Sequence, residues 1–129
     1  MNNMPDVKTM PSLNLAFIGD SVYEILVREY LCRINAGKVG VMNKIKVDMV
    51  CCKAQAEAAK LILPLLSEEE EGVYRRGRNV QVNSASKSGS LADYHAATGL
   101  EALFGYLYLS GRTDRVRELF GIITEAKNQ

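Results

Sequence analysis

The sequence holds a single histidine, three cysteines and a formal net charge of only +1. His95 has no second histidine to pair with, and Cys51 and Cys52 stand side by side without a CxxC, so no zinc-type ligand spacing exists. Three cysteines make a poor disulfide framework, which points to a reducing, cytoplasmic setting. No basic-then-apolar leader opens the sequence and no apolar run reaches about eighteen residues, so neither a signal peptide nor a membrane span is expected. The near-zero charge neither announces nor excludes a polyanionic partner; any basic surface has to be local. No Pro/Gly/Ser-rich linker divides the 129 residues and no internal repeat is found, so one domain with one core is expected.

What is present is helical periodicity. From Leu13 to Leu31 apolar residues recur at three- and four-residue steps, interrupted only by Asn14, Gly19, Asp20, Ser21, Glu24, Arg28 and Glu29. This predicts a buried amphipathic helix around which the chain is organised, with Ser12 placed to cap it and residues 1–11 as a flexible tail. Asn35, Gly37 and Gly40 read as its stop and turn. A second long helix is predicted over 41–63, carrying Val41, Ile45, Met49, Cys52, Ala56, Ala59 and Leu63 inward and ended by Pro64. Ser67 and Glu70 fit a capping box for a short helix ending near Gly77, and the acidic run 68–71 suits the positive end of its dipole. Consecutive glutamates on a helix point in different directions, which argues against reading that run as a metal site. A third long helix spans 91–109, and 112–127 forms a last amphipathic one with Val116, Leu119, Phe120 and Ile123 turned inward.

Between the short helix and the third long one, residues 75–89 place Arg75, Arg76, Arg78 and Lys87 in a Ser/Asn/Gly-rich stretch. It reads as a flexible basic loop, long for a compact domain, for which phosphate contact is the functional reading and a solvated connection the plain one.

Two acids stand alone in the most apolar parts of their helices. Asp20 shares a stripe with Leu13, Ala16, Glu24 and Val27; Glu101 shares one with Tyr94, Ala97, Thr98, Gly105 and Tyr108. Gly105, one turn beyond Glu101, would let another helix backbone come close. Buried carboxylates without partners are costly, so each is either a satisfied structural group or meets a cation or a basic partner. If the two converge they cannot both stay ionised alone, and a divalent ion held by oxygen is the economical answer. Magnesium or manganese suits oxygen neighbours better than zinc.

The stretch Phe17-Ile18-Gly19-Asp20-Ser21-Val22 resembles the signature helix of ribonuclease III, and Leu100-Glu101-Ala102-Leu103-Phe104-Gly105 resembles the family's second metal-bearing helix. Both occur in the right order, and the resemblance covers residues 12–129. It is strongest to the compact bacterial branch, which has no separate double-stranded RNA-binding domain. The resemblance implies an all-α ribonuclease III-type domain and an endoribonuclease that cleaves double-stranded RNA with Mg2+ or Mn2+, leaving 5′-phosphomonoesters. It implies Asp20 and Glu101 as catalytic metal ligands, a homodimer in which Phe17 plugs a socket in the partner, and a cytoplasmic role in maturing precursor 23S ribosomal RNA. Larger members carry additional acids where this chain has Leu13, Ala16 and Thr98. Fewer carboxylates imply more metal-bound waters. Glu57 matches an auxiliary acid near the family's cleavage centre only weakly; a surface helix glutamate is the competing reading. Three other readings stay open: a catalytically silent RNA-binding module of the same fold, a helical nucleotide phosphohydrolase, and a structural helical dimer.

Overall fold

Six α-helices and no strand build the described residues, 6–80 and 90–128, of the computed structural model. They are α1 (Ser12–Arg33), α2 (Val39–Val50), α3 (Cys52–Ile62), α4 (Glu68–Arg78), α5 (Leu91–Leu109) and α6 (Thr113–Lys127), with short 3-10 turns at Val7–Thr9 and Leu63–Leu65. The all-α expectation is borne out.

The centre is α5, against which α1, α3, α4 and α6 all pack. Ser90 starts it by accepting a hydrogen bond from the Asp93 N–H at 3.0 Å. Leu100, Ala102, Leu103, Phe104 and Leu107 are fully enclosed. A helix apolar on every side has to be surrounded, and each large side chain there contributes roughly 1.5–3 kcal/mol by leaving water. The helix expected to be the organiser, α1, gives that place to α5 and is covered on one side only. It buries Leu15, Val22, Tyr23, Leu26 and Val27 against the core and leaves Leu13, Phe17 and Ile25 exposed. Tyr23 joins the two sides of the core, edge-on to Phe104 at 5.4 Å and to Phe120 at 5.6 Å between ring centroids.

Several local expectations are corrected. Pro11, not Ser12, occupies the cap of α1, and no side chain caps that end. Residues 7–10 are more than a tail: Val7 and Met10 pack against the core. Gly40 lies inside α2 rather than in the turn before it. The single helix expected over 41–63 is two, because Cys51 is extended (φ −68°, ψ 160°). The break lets α2 lie on α1 while α3 turns Ala56, Ala59 and Ile62 into the core beside α5 and α6. Apolar spacing is preserved on both sides of Cys51, so periodicity alone does not reveal one non-helical residue.

The acidic run behaves as a cap. Ser67 Oγ accepts from the Glu70 N–H at 3.1 Å and the Glu70 carboxylate accepts from the Ser67 N–H at 2.9 Å. The same buried carboxylate takes Nε and Nη2 of Arg115, each at 2.9 Å, which holds its pKa below the usual range and ties α4 to α6. Glu69 binds Arg112 and the Tyr106 hydroxyl. These acids are engaged with arginines, not assembled as a metal site.

Helix α4 ends at Arg78, near Gly77 as expected. A Cβ on Gly77 would stand 2.8 Å from the Ala102 Cβ, so the glycine allows close packing of α4 on α5. The helix carries Arg75, Arg76 and Arg78 on its exposed last turns, where its dipole favours cations. These three belong to a helix and not to the loop in which the sequence placed them. Lys87 lies outside the described residues.

Candidate active site

The site is made by a backbone crossing. Gly19 on α1 and Gly105 on α5 meet: a Cβ on Gly19 would stand 1.6 Å from the Glu101 carbonyl oxygen, and one on Gly105 would stand 2.0 Å from the Leu15 carbonyl oxygen. Only hydrogen in place of a side chain permits that approach. The residue after Gly19 is Asp20, and Glu101 lies one turn before Gly105, so the crossing sets the two carboxylates beside one another. The close approach expected of Gly105 is thereby realised, and the two lone acids converge.

Asp20 and Glu101 line one cleft of about 430 Å³. Burial in a single chain is unequal. Glu101 is half-buried, whereas Asp20 is exposed, contrary to the expectation that both are covered by the core. The stripe carrying Asp20 is divided: Ala16 and Val27 are buried, while Leu13 and Asp20 reach the exposed rim of the cleft. Burial raises the Glu101 pKa most, and the charge and hydrogen bond of Asp20 raise it further, up to about 8. The pair therefore prefers to keep a proton at neutral pH or to exchange it for another cation.

Leu13, Ala16 and Thr98, the three positions where larger relatives carry acids, all line this cleft. Thr98 is buried and its hydroxyl donates to the Tyr94 carbonyl at 3.0 Å. Cys52 is also in the wall, but burial and the nearby Glu101 carboxylate push its thiol pKa up, so it is a poor thiolate. Among the described residues no three His, Cys, Asp or Glu side chains converge on one point. Glu57 is exposed and faces a different, smaller depression with Tyr23 and Lys127; it is not brought to the acid pair.

One residue of the site is not anticipated from the sequence. Gln55, only 2% exposed, donates from Nε2 to the Val50 carbonyl at 3.0 Å and to Glu101 Oε2 at 3.4 Å. Its signal is present: Gln55 occupies a helical stripe with Cys52, Ala59 and Ile62, where a polar side chain needs a reason.

Phe17 is 79% exposed and stands with Leu13 at the cleft. Arg75, Arg76 and Arg78 are exposed, with Arg75 3.2 Å from Glu71 and the Arg78 guanidinium 5.8 Å from the Tyr74 ring centroid. Among the described residues no helix is long and apolar enough to cross a membrane.

Comparison with known proteins agrees with this geometry. Residues 13–112 match the Ribonuclease III domain family. The chain is 39% identical over 118 residues to Mini-ribonuclease 3 of Enterococcus faecalis, covering 90% of this chain and 89% of that protein. It is 43% identical over 113 residues to Mini-ribonuclease 3 of Thermoanaerobacter sp., covering 88% and 80% respectively. A crystal structure of a Fusobacterium nucleatum protein superposes with a TM-score of 0.85 at 27% identity, covering 96% of this chain and 99% of that one. The crossing of α1 and α5, the acids it pairs and these likenesses together place the chain in the ribonuclease III family.

Proposed function

We propose that this ribonuclease is a divalent-cation-dependent endonuclease of double-stranded RNA, working as a homodimer in the cytoplasm to mature precursor 23S ribosomal RNA. The observation that carries the reading is the contact of Asp20 with Glu101 in one open cleft, where burial first and that contact second raise the Glu101 pKa. Two carboxylates from different helices fit a hard cation that keeps several of its own waters, Mg2+ or Mn2+. When bound, such an ion supplies a more acidic water and stabilises charge on the departing 3′ oxygen, which leaves a 5′-phosphomonoester.

The remaining work belongs to the chain. Glu101, on losing its proton, and Asp20, at the exposed rim of the cleft, would hold the ion. Arg75, Arg76 and Arg78 offer cations to the phosphates. Double-stranded RNA is recognised by shape, phosphates and 2′-hydroxyls, which suits a site with few specific polar groups. The exposed pair Phe17 and Leu13 beside the cleft supports a second copy of the chain as its cover, so that two sites across a twofold axis cut both strands. The ribosomal substrate rests on the family resemblance.

A second reading, a catalytically silent RNA-binding module, is favoured by the absence of acids at Leu13, Ala16 and Thr98 in the cleft wall. Incubating a long RNA duplex with protein and Mg2+ separates the two. Cleavage that Asp20→Asn or Glu101→Gln lowers by roughly 10²-fold or more, with helicity intact, supports the nuclease. Binding without cleavage supports the silent module.

A further inference from the structure

The Gln55 side chain is buried, and its oxygen Oε1 has no hydrogen-bond partner among the described residues. Its orientation is not arbitrary. The Val50 carbonyl is an acceptor only, so it has to face Nε2, and the second Nε2 hydrogen is directed to Glu101 Oε2. Both donors are thus used and the acceptor is left over in the wall of the cleft that holds Asp20 and Glu101. Buried polar atoms are nearly always satisfied, and one that is not needs a hydrogen from something outside the chain.

The break at Cys51 explains how Gln55 is held. In an unbroken helix the Val50 carbonyl would accept from the backbone N–H four residues on. Here that carbonyl ends α2, and the amide of Gln55 takes it up. The side chain is fixed at one end to the backbone and at the other to Glu101.

Resting on the proposed cation-dependent reading, we propose that Gln55 is a positioning residue of the cation site: Nε2 orients the Glu101 carboxylate, and Oε1 accepts a hydrogen bond from a water that hydrates the ion. An ion held directly by only two carboxylates keeps several waters, and each water hydrogen needs an acceptor. Much of the nearby wall (Leu13, Ala16, Phe17 and Ala97) offers none. Gln55 Oε1 is an acceptor there with no partner among the described residues.

The test is Mn2+ titration calorimetry on the wild type, Gln55→Leu and Gln55→Glu, with thermal unfolding of each in chelator. Gln55→Leu should keep its helicity, unfold in chelator somewhat below the wild-type midpoint because the Val50 carbonyl and Glu101 lose the amide hydrogens, and bind Mn2+ roughly 10- to 100-fold more weakly. Its kcat on duplex RNA should fall with KM unchanged. Gln55→Glu, which retains acceptor oxygens at that position, should bind Mn2+ at least as tightly as the wild type. If Gln55→Leu does not fold, Gln55→Met carries the same comparison. Mn2+ affinity unchanged in the folded apolar variant overturns the role of Gln55 and leaves the acid pair standing; affinity equally weak in Gln55→Glu, which lacks the Nε2 donor, overturns the acceptor role of Oε1. A wild type that binds no Mn2+ overturns the role of Gln55 and the acid pair together.

Discussion

The alpha carbon of Gly19 faces the Glu101 carbonyl so closely that a methyl group on it would stand 1.6 Å from that oxygen. Neither atom belongs to a flexible side chain, so nothing nearby can move aside cheaply. Gly19→Ala has to separate α1 from α5 and, with them, Asp20 from Glu101. The loss in stability should exceed the roughly 1–3 kcal/mol of ordinary overpacking, and cleavage should disappear with it. Gly121 provides the contrast. It is exposed within α6, and a Cβ there meets nothing within 4 Å. Gly121→Ala should stabilise the fold by roughly 0.5–1 kcal/mol through helix propensity alone. Thermal unfolding of the two variants measures both effects.

Glu101 makes stability depend on pH in a definite direction. Its carboxyl titrates near 4.5 when unfolded and near 8 in the fold, so between those values the folded chain holds a proton that the unfolded chain has lost. Stability is therefore fully present below the lower value and declines as pH rises through the window, by about 1.4 kcal/mol per pH unit from this group. In chelator the unfolding midpoint should fall from about pH 5 to pH 8. Glu101→Gln should flatten the profile and be the more stable protein at pH 8. A wild-type midpoint that climbs over this range, with the Gln variant parallel to it, would contradict the assignment.

Phe17 is nearly bare in one chain, so Phe17→Glu should leave the thermal stability of that chain within about 0.5 kcal/mol. In a dimer whose partner covers Phe17, the same charge enters a desolvated contact and costs several kcal/mol. Sedimentation should show a dimeric wild type and a monomeric variant, and cleavage should fall with the loss of assembly. A variant that still sediments as a dimer would mean that copies of the chain meet elsewhere.

The cations of α4 predict a salt signature. Each phosphate neutralised contributes a slope of roughly 0.9 in log affinity against log salt on a B-DNA scale. Changing Arg75, Arg76 and Arg78 to serine should weaken duplex binding and flatten that slope, without altering Mn2+ affinity. Arg75 is shared with Glu71 and should account for the smallest part. Filter binding at several salt concentrations reads the slopes directly; coincident lines would remove α4 from the RNA interface.

The limits of α5 are legible in the sequence because an enclosed helix needs apolar residues throughout, and the one acid within its apolar stretch, Glu101, then stands out. Gly105 is legible for the same reason, since a glycine in such a helix invites a neighbour. Asp20 is harder. A helical wheel shows that it shares a stripe with Leu13 and Ala16, but not that Asp20 and Leu13 reach the exposed rim of a cleft while Ala16 is buried, because α1 has apolar residues on both its covered and its open sides. The arginines of α4 are misplaced by their sequence neighbours: the Ser/Asn/Gly-rich stretch that follows them reads as loop, whereas the helix carries them to Arg78 and packs Gly77 on Ala102. The extended residue Cys51 and the held amide of Gln55 have no periodic signature, because each depends on where another helix lies.

Of the twelve residues in α2, only Met49 is buried. A helix held so lightly opens at little free-energy cost, and its amides should exchange with deuterium well ahead of those in α5. Yet the last carbonyl of α2 anchors the amide beside Glu101. Each transient fraying of α2 as far as Val50 would therefore release the Gln55 amide as well, and with it the support of Glu101 on the inner wall of the cleft.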